Sequence, residues 1–293
     1  MAIKVECVLD ARAATGEGAI WSEARAGLWW VDIPAGRLHL HTPSTGENAV
    51  WEFGRPIGCA AETRSGKVVV ALTDGFFELD TASGDLTALG GPAPGTRGHR
   101  FNDGAVDPAG RFLAGTMPLA GGLADDTTGT LYSLDGAGTV AEVMGGFHVI
   151  NGMAFSPDGR IGYISDSFPS VRTIWAWDYD AGDGAWSNRR VFFDTRAVAG
   201  RPDGATVDAD GCYWMAGVSG WQLVRITPEG KVDMEIAMPV EKPSKIAFGG
   251  PDLRTMYVTS IRMDDDPEQP LSGGLFALEV PGMTGLPATL MDR

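Results

Sequence analysis

A nine-residue segment recurs along the chain at a regular spacing, and this repeat limits the folds open to it. Four copies align without gaps: GCAAETRSG (58–66), NDGAVDPAG (102–110), NGMAFSPDG (151–159) and DGATVDADG (203–211). Two looser copies with short insertions are EGAIWSEARAG, from Glu17, and SKIAFGGPDLR, from Ser244. The copies begin roughly forty to fifty residues apart, a period that is typical of β-propeller blades.

Short runs rich in β-branched and aromatic residues accompany the copies, and helical periodicity is nearly absent. The first set of runs is LWWVDI (28–33), KVVVAL (67–72), RFLAGTM (111–117), IGYISD (161–166), CYWMAG (212–217) and TMYVTS (255–260). Each is followed by a second strand-like run, such as RLHLHT or IWAWDYD. The pattern predicts an all-β fold, a six-bladed β-propeller with four-stranded blades and a central tunnel, formed by residues 1–293 as a single domain.

The ring must also be closed, because an exposed strand edge promotes aggregation. We expect the N-terminal strand, near Ile3–Leu9, to pair with the last blade.

The charge balance disfavours nucleic acid as a partner. The chain has 38 acidic and 23 basic residues, a formal net charge of −15, whereas binding to phosphates needs the opposite sign. The start, MAIKVECVLDAR, lacks an apolar signal-peptide core, and no apolar run approaches the ~18 residues of a membrane helix. Cys7, Cys59 and Cys212 are scattered and suit a reducing compartment as small buried residues. We expect a cytoplasmic monomer or small homo-oligomer without a membrane or nucleic-acid partner.

The first residue of each copy holds an equivalent position on each blade. These residues are Glu17, Gly58, Asn102, Asn151, Asp203 and Ser244. If this position opens the innermost strand, its polar side chains converge at the mouth of the axial tunnel. Glu17, Asn151 and Asp203 then offer two carboxylates and an amide oxygen to one divalent cation, with positions left for water or substrate. Calcium is the first expectation for the metal, and magnesium, manganese, zinc and ferrous iron stay open.

Ordinary turns are the alternative explanation of these segments, because Asn-Gly and Asp-Gly are common turn sequences. The later aspartates of the copies are interpreted in this way: Asp107, Asp158, Asp208 and Asp210. Asp103 and Gly104 are likewise expected to complete the turn behind Asn102. Turn chemistry does not explain Glu17, nor why carboxylates and amides share one position of the repeat.

Other catalytic chemistries have weaker support. The histidines are scattered, at positions 39, 41, 99 and 148, which disfavours a zinc site built on ring nitrogens. No GxSxG nucleophile elbow occurs in the sequence.

Four of the segments resemble the signature segments of the regucalcin/gluconolactonase family, also called the senescence marker protein family. They are TGEGAIW (15–21), RFNDGAVDPAGRFLAGTM (100–117), NGMAFSPDGR (151–160) and RPDGATVDADGCYWMA (201–216). The resemblance implies a six-bladed propeller that binds one divalent cation in its tunnel and hydrolyses a sugar lactone. It implies that Glu17, Asn151 and Asp203 hold the metal, and that Arg100 and Asn102 contact the substrate.

The chain departs from this family at one place. Some animal members carry a glutamate just beyond the GTM segment that helps to hold the sugar, whereas Ala120 stands there in this chain. The following stretch, GGLADDTTG (121–129), is either a flexible lid or a solvated loop.

Opening a lactone ring requires an activated water and a stabilised oxyanion. Asp203 is expected to act as metal ligand and general base, with Arg100 and Asn102 orienting the substrate. Because a metal lowers the pKa of its ligands, a base outside the ligand set stays open. Two other functions stay open as well: a metal-dependent esterase or phosphotriesterase-like hydrolase, and a calcium-binding propeller without catalysis.

Overall fold

Each repeat folds into one antiparallel four-stranded sheet, and the repeated segment starts within its innermost strand. The computed structural model describes residues 3–119, 128–263 and 266–293. Strand β1 is Val5–Leu9. Blade 1 contains β2 (Gly16–Ser22), β3 (Gly27–Asp32), β4 (Arg37–Thr42) and β5 (Glu47–Glu52); blade 2 contains β6 (Ile57–Glu62), β7 (Val68–Leu72), β8 (Gly75–Leu79) and β9 (Leu86–Gly90). Blade 3 contains β10 (His99–Val106), β11 (Phe112–Pro118), β12 (Gly129–Leu134) and β13 (Val140–Phe147).

The second half of the chain continues the same order. Blade 4 contains β14 (Ile150–Phe155), β15 (Ile161–Asp166), β16 (Thr173–Asp180) and β17 (Ala185–Asp194); blade 5 contains β18 (Arg201–Val207), β19 (Tyr213–Val218), β20 (Gln222–Ile226) and β21 (Val232–Ala237). Blade 6 contains β22 (Pro243–Gly249), β23 (Thr255–Ser260) and β24 (Leu275–Glu279), with β1 outermost. The predicted all-β, six-bladed propeller is confirmed. Over the described ranges, helix is confined to two short 3₁₀ turns, Pro94–Arg97 and Thr195–Ala197, and neither could span a bilayer.

The ring closes as predicted, through the N-terminal strand. β1 pairs antiparallel with β24, with Val5 opposite Leu278 and Cys7 opposite Phe276. The last blade therefore combines both ends of the chain, which removes the free edge of β24.

Apolar side chains fill the spaces between neighbouring blades. Trp214 and Leu223 of blade 5 form one buried cluster with Phe248, Met256 and Phe276 of blade 6. Such packing explains the near-continuous apolar runs of the middle strands, since a blade covered on both faces has no solvent-facing side.

Every innermost strand carries a bulge where the repeat begins. In blade 1, the three-residue step from Glu17 to Ile20 faces a two-residue step on β3. The same one-residue excess occurs in the other five blades. A bulge redirects the side chain that it carries, so the repeat builds the same local irregularity six times around the ring.

The aspartates predicted to form turns and the three cysteines have the following places in the structure. The aspartates interpreted as turn-forming lie at turns, and the Asp107 carboxylate, for example, accepts the backbone N–H groups of Ala109 and Arg111. The three cysteines have free thiols, with Cys59 and Cys212 buried and Cys7 half-buried.

The C-terminal segment, residues 281–293, crosses the face at which the innermost strands end. Its backbone binds blade 5 through Ala209 N–H to Thr284 O, at 2.9 Å. It then reaches blade 2, where Met291 N–H donates to Glu62 O over 2.8 Å. Met291 is fully buried. The repeat analysis did not predict this segment, because it lies outside the six copies.

Candidate functional site

The innermost strands bring the repeat residues together around the axis. β2, β6, β10, β14, β18 and β22 each contact their two neighbours, which closes a ring of six strands. Glu17, Asn102, Asn151 and Asp203 lie on four of these strands and are all buried, none more than 8% exposed. Buried polar groups need partners, and the contacts of these side chains therefore define the site.

A chain of hydrogen bonds links the amides of blades 3 and 4. Arg100 Nη1 donates to Asn102 Oδ1 over 2.7 Å, and Asn102 Nδ2 donates to Asn151 Oδ1 over 2.9 Å. Asn151 Nδ2 donates in turn to Ser167 Oγ over 2.6 Å, and this hydroxyl donates to Pro202 O of blade 5. A carbonyl oxygen has two lone pairs, so Asn151 Oδ1 retains one for another ligand.

The two carboxyl groups complete this arc. Glu17 Oε2 accepts the N–H of Gly18 at 3.0 Å, and the Asp203 carboxyl lies within hydrogen-bonding reach of Glu17. Burial, followed by the charge of Asp103, raises the pKa of Asp203 to about 7. Burial and the charge of Asp203 raise the pKa of Glu17 well above its usual range. Two buried carboxylates within hydrogen-bonding reach of each other repel when both are charged. The site therefore favours either a proton or a cation between them.

The donor set fits a divalent cation that prefers oxygen ligands. Glu17 and Asp203 supply carboxylate oxygens and Asn151 supplies an amide oxygen, the ligand types preferred by calcium, magnesium and manganese. No group of three or more His, Cys, Asp and Glu side chains suited to a metal occurs in residues 3–119, 128–263 and 266–293. A cation here would rely on two carboxylates, one amide and non-protein ligands.

Arg100 adds a positive charge beside the carboxyl groups. Its side chain is half-buried, and burial lowers its pKa to about 10, against the opposing charges of Glu17 and Asp203. The guanidinium therefore remains charged at neutral pH, with its Nη1 held by Asn102 Oδ1 and by the carbonyl oxygen of Phe101 at 3.0 Å.

Glycine gives the backbones room to approach one another at Gly152. A side chain there would place Cβ 2.3 Å from the Tyr213 hydroxyl and 3.1 Å from the carbonyl oxygen of Asp203, and φ is +60°. The glycine after Asn151 thus allows blades 4 and 5 to bring Asn151 and Asp203 close.

The expectation that Asp103 and Gly104 complete a turn is wrong. Both lie inside β10, and Asp103 is 2% exposed. Asp103 Oδ1 accepts from Lys245 Nζ over 2.8 Å, and Asp103 Oδ2 accepts from Met153 N–H over 3.2 Å. The bulge keeps the chain extended here and turns the carboxylate inward.

Sequence reasoning missed this ion pair, although the repeat contained its signal. The second position of the copies holds a glycine or cysteine in blades 1, 2, 4 and 5, but Asp103 in blade 3 and Lys245 in blade 6. In a six-bladed ring these two blades are opposite. Ser167 was also missed, because it follows the second strand of its blade and lies outside the repeated segment. Ala120 and most of the 121–129 stretch lie outside the described residues.

A family model matches most of the chain. The model of the SMP-30/gluconolactonase/LRE-like region matches residues 15–262. The chain belongs to this family. Its members include named sugar lactonases: a 6-deoxy-6-sulfogluconolactonase of Pseudomonas putida is 39% identical over 285 residues, covering 95% of this chain and 96% of that protein. Regucalcin of Xenopus laevis is 35% identical over 294 residues, covering 98% of each.

A solved member of the family has the same fold throughout. The structure of a calcium-binding protein, regucalcin, from Agrobacterium tumefaciens superposes with a TM-score of 0.91 at 27% identity, covering 100% of this chain and 99% of that one. The regucalcin/gluconolactonase resemblance of the four segments is therefore confirmed.

Proposed function

We propose that this protein is a lactonase that opens a sugar (aldono-)lactone to the aldonic acid and depends on one divalent cation. The observation that carries the proposal is the buried pair of Glu17 and Asp203, with Asn151 and the Arg100–Asn102 pair on the same arc. Membership of a family that includes sugar lactonases supports this reaction class.

Glu17, Asn151 and Asp203 would hold the cation, and calcium is the first candidate since a related structure is named as calcium-binding. When bound, a divalent ion polarises the lactone carbonyl and eases the deprotonation of a water beside it. The charge of such an ion would offset the repulsion between the carboxylates of Glu17 and Asp203 and lower their pKa values.

Side chains of the protein would perform the proton transfers and stabilise the charge that develops during ring opening. The Asp203 carboxylate takes a proton from the water whose oxygen attacks the carbonyl carbon. The bond between this carbon and the ring oxygen then breaks, and the ring oxygen takes the proton held by Asp203 and leaves as a hydroxyl. The new carboxylic acid gives up the second proton of the water. The products are a carboxylate, a hydroxyl and one released proton. The Arg100 guanidinium, which stays charged at neutral pH, lies beside the carboxyl groups. There it would stabilise the negative charge that develops on the substrate.

Asn102 and Arg100 would orient the substrate through its oxygen atoms. Asn102 Nδ2 already donates to Asn151 Oδ1 and Ile150 O, so its position is determined before substrate arrives. A pre-oriented polar group reduces the entropy lost on binding. Lactones of this kind arise when an aldose is oxidised at its anomeric carbon, which places the reaction after a sugar oxidation.

A panel of aldonolactones tests this function. Chelator-treated protein is assayed by proton release, with each cation added back in turn and spontaneous opening subtracted. The proposal expects turnover of at least one lactone that is restored by a divalent cation. Cation-independent turnover would contradict the metal dependence.

A calcium-binding protein without catalysis is the second candidate, since regucalcin names recur among the relatives. Tight binding of calcium together with no hydrolysis across lactones and aryl esters would favour it. Hydrolysis of aryl esters or phosphotriesters but of no lactone would instead favour an esterase of this fold.

A further inference from the structure

A buried ion pair spans the axis of the ring. Lys245 Nζ on β22 lies 2.8 Å from Asp103 Oδ1 on β10, and the two side chains are 6% and 1% exposed. β22 is the innermost strand of blade 6 and β10 that of blade 3, which are opposite in the ring. The pair therefore crosses the channel instead of joining neighbours.

The surrounding backbone holds this pair in place. Lys245 N–H donates to Thr259 Oγ1 over 3.1 Å, and Asp103 Oδ2 accepts Met153 N–H. Gly204 leaves room for the lysine stem, because a Cβ at this position would lie 2.2 Å from Lys245 Cδ. Moving either side chain away would leave the other charge buried and unpaired, which is strongly destabilising. The two groups are therefore expected to stay together.

The pair lies next to residues of the candidate site, because Asp103 follows Asn102 in β10 and the Lys245 stem packs against Gly204, which follows Asp203. Lys245 also lines a cavity of about 440 Å³, together with Gly104, Met153 and the C-terminal residues Leu286–Leu290. Glu17, Asn102, Asn151 and Asp203 do not line that cavity. Lys245 therefore reaches both the surroundings of Asp203 and a cavity that the site residues do not line.

The charges of the pair reach both carboxyl groups of the site. Asp103 raises the pKa of Glu17 and of Asp203, and Lys245 lowers the pKa of both. With all groups ionised, Glu17, Asp203 and Asp103 carry three negative charges, while Arg100 and Lys245 carry two positive ones. The loss of Lys245 would double the net negative charge that surrounds a cation.

We propose that Lys245 sets how tightly the site binds its cation, by neutralising Asp103 and keeping this third carboxylate from the ion. The inference rests on the proposed function, since it concerns the cation held by Glu17, Asn151 and Asp203. Without Lys245, Asp103 becomes a third negative charge beside the site, and cation affinity rises. Without the Asp103 charge, Lys245 repels the cation and affinity falls.

Three variants test this inference by calorimetric titration of chelator-treated protein with Ca²⁺ and, separately, Mg²⁺. Lys245→Met keeps the length of the stem and removes the charge. We expect its Kd to fall by about tenfold or more, the Kd of Asp103→Asn to rise by a similar factor, and the double variant to lie within about threefold of the wild type. Lys67→Met removes an exposed lysine that pairs with Glu78, and its Kd should not change.

Poor folding of a variant does not remove the test. If Lys245→Met is unstable without cation, a saturating cation should raise its Tm more than it raises that of the wild type. Wild-type binding with an unchanged Kd in both single variants, or with shifts of the same sign, would overturn the inference. Absence of cation binding by the wild type would instead overturn the proposed function, so the two failures can be told apart.

Discussion

Asn102 Nδ2 donates to Asn151 Oδ1 over 2.9 Å, and this bond joins the proposed substrate side of the site to the proposed metal side. The two residues lie on the innermost strands of neighbouring blades, at equivalent bulges. Substrate orientation and metal geometry are thus linked through one hydrogen bond, and the two effects can be separated by mutation.

Replacement of Asn102 by Ala should affect substrate more than cation. The change removes one of the two acceptors of Arg100 Nη1 and the donor to Asn151, but leaves all three proposed ligands. We expect kcat/KM for the lactone to fall roughly 10- to 100-fold, and cation Kd to change less than about fivefold. Asn188→Ala, on the exposed strand β17, is the matched control. A larger loss of cation affinity than of kcat/KM would contradict these roles.

The stability of the cation-free protein should depend on pH through Asp203. Its pKa is raised from 3.8 to about 7 in the folded protein, so between these values the folded state binds a proton that the unfolded state has released. This group's contribution to stability is complete below pH 4 and is lost as pH rises through 7.

Thermal unfolding of chelator-treated protein between pH 4 and pH 8 measures this effect. The neutral variant Asp203→Asn should gain stability relative to the wild type as pH rises through this window. Saturating cation should remove the difference in slope, because the bound ion replaces the proton. Parallel Tm profiles of the two cation-free proteins would show that Asp203 does not titrate in this way.

Gly204 should tolerate no side chain. A Cβ would lie 2.2 Å from Lys245 Cδ and 2.7 Å from the carbonyl oxygen of Ser244. We expect Gly204→Ala to destabilise the fold by about 1–3 kcal/mol through overpacking, measured by urea unfolding. Gly145→Ala is the control, since its nearest contacts would be 3.8 Å away. Equal stability of the two variants would show that the lysine stem can move aside.

The C-terminal segment should stabilise the ring by tying distant blades together. Met291 is fully buried against blades 2 and 3, so Met291→Ala should cost about 2–5 kcal/mol in the free energy of unfolding. Val232→Ala, at an exposed position, should change it by less than about 0.5 kcal/mol. If Met291→Ala lowered the free energy of unfolding no more than Val232→Ala does, the C-terminal segment would contribute little to stability.

The architecture was predictable because a blade is a local unit and its repeat is visible in the sequence. The six copies located all six innermost strands, and the position of Glu17, Asn151 and Asp203 in the copies predicted that they would share one depth. Contacts across the axis of the ring could not be predicted from the repeat. Asp103 and Lys245 are 142 residues apart, and only the closed ring makes blades 3 and 6 face each other.

The turn expected at Asp103 and Gly104 was wrong for a related reason. Asn-Asp-Gly is a common turn sequence, but in β10 the bulge absorbs the extra residue within the strand. The tertiary ion pair with Lys245 outweighs the local preference of Asp103 for a turn. The C-terminal segment could not be predicted either, since it binds backbone groups of different blades, such as Ala209 N–H and Glu62 O, that lie far apart in the sequence.

The most direct test of the proposed function is a titration of chelator-treated protein with the activating cation, in which bound metal and the rate of lactone hydrolysis are measured on the same samples. We predict that the rate rises with bound cation and stops rising at one equivalent per chain. Glu17→Gln and Asp203→Asn should lose both signals. Undiminished hydrolysis in cation-free protein, or full activity in Asp203→Asn, would contradict the proposed function.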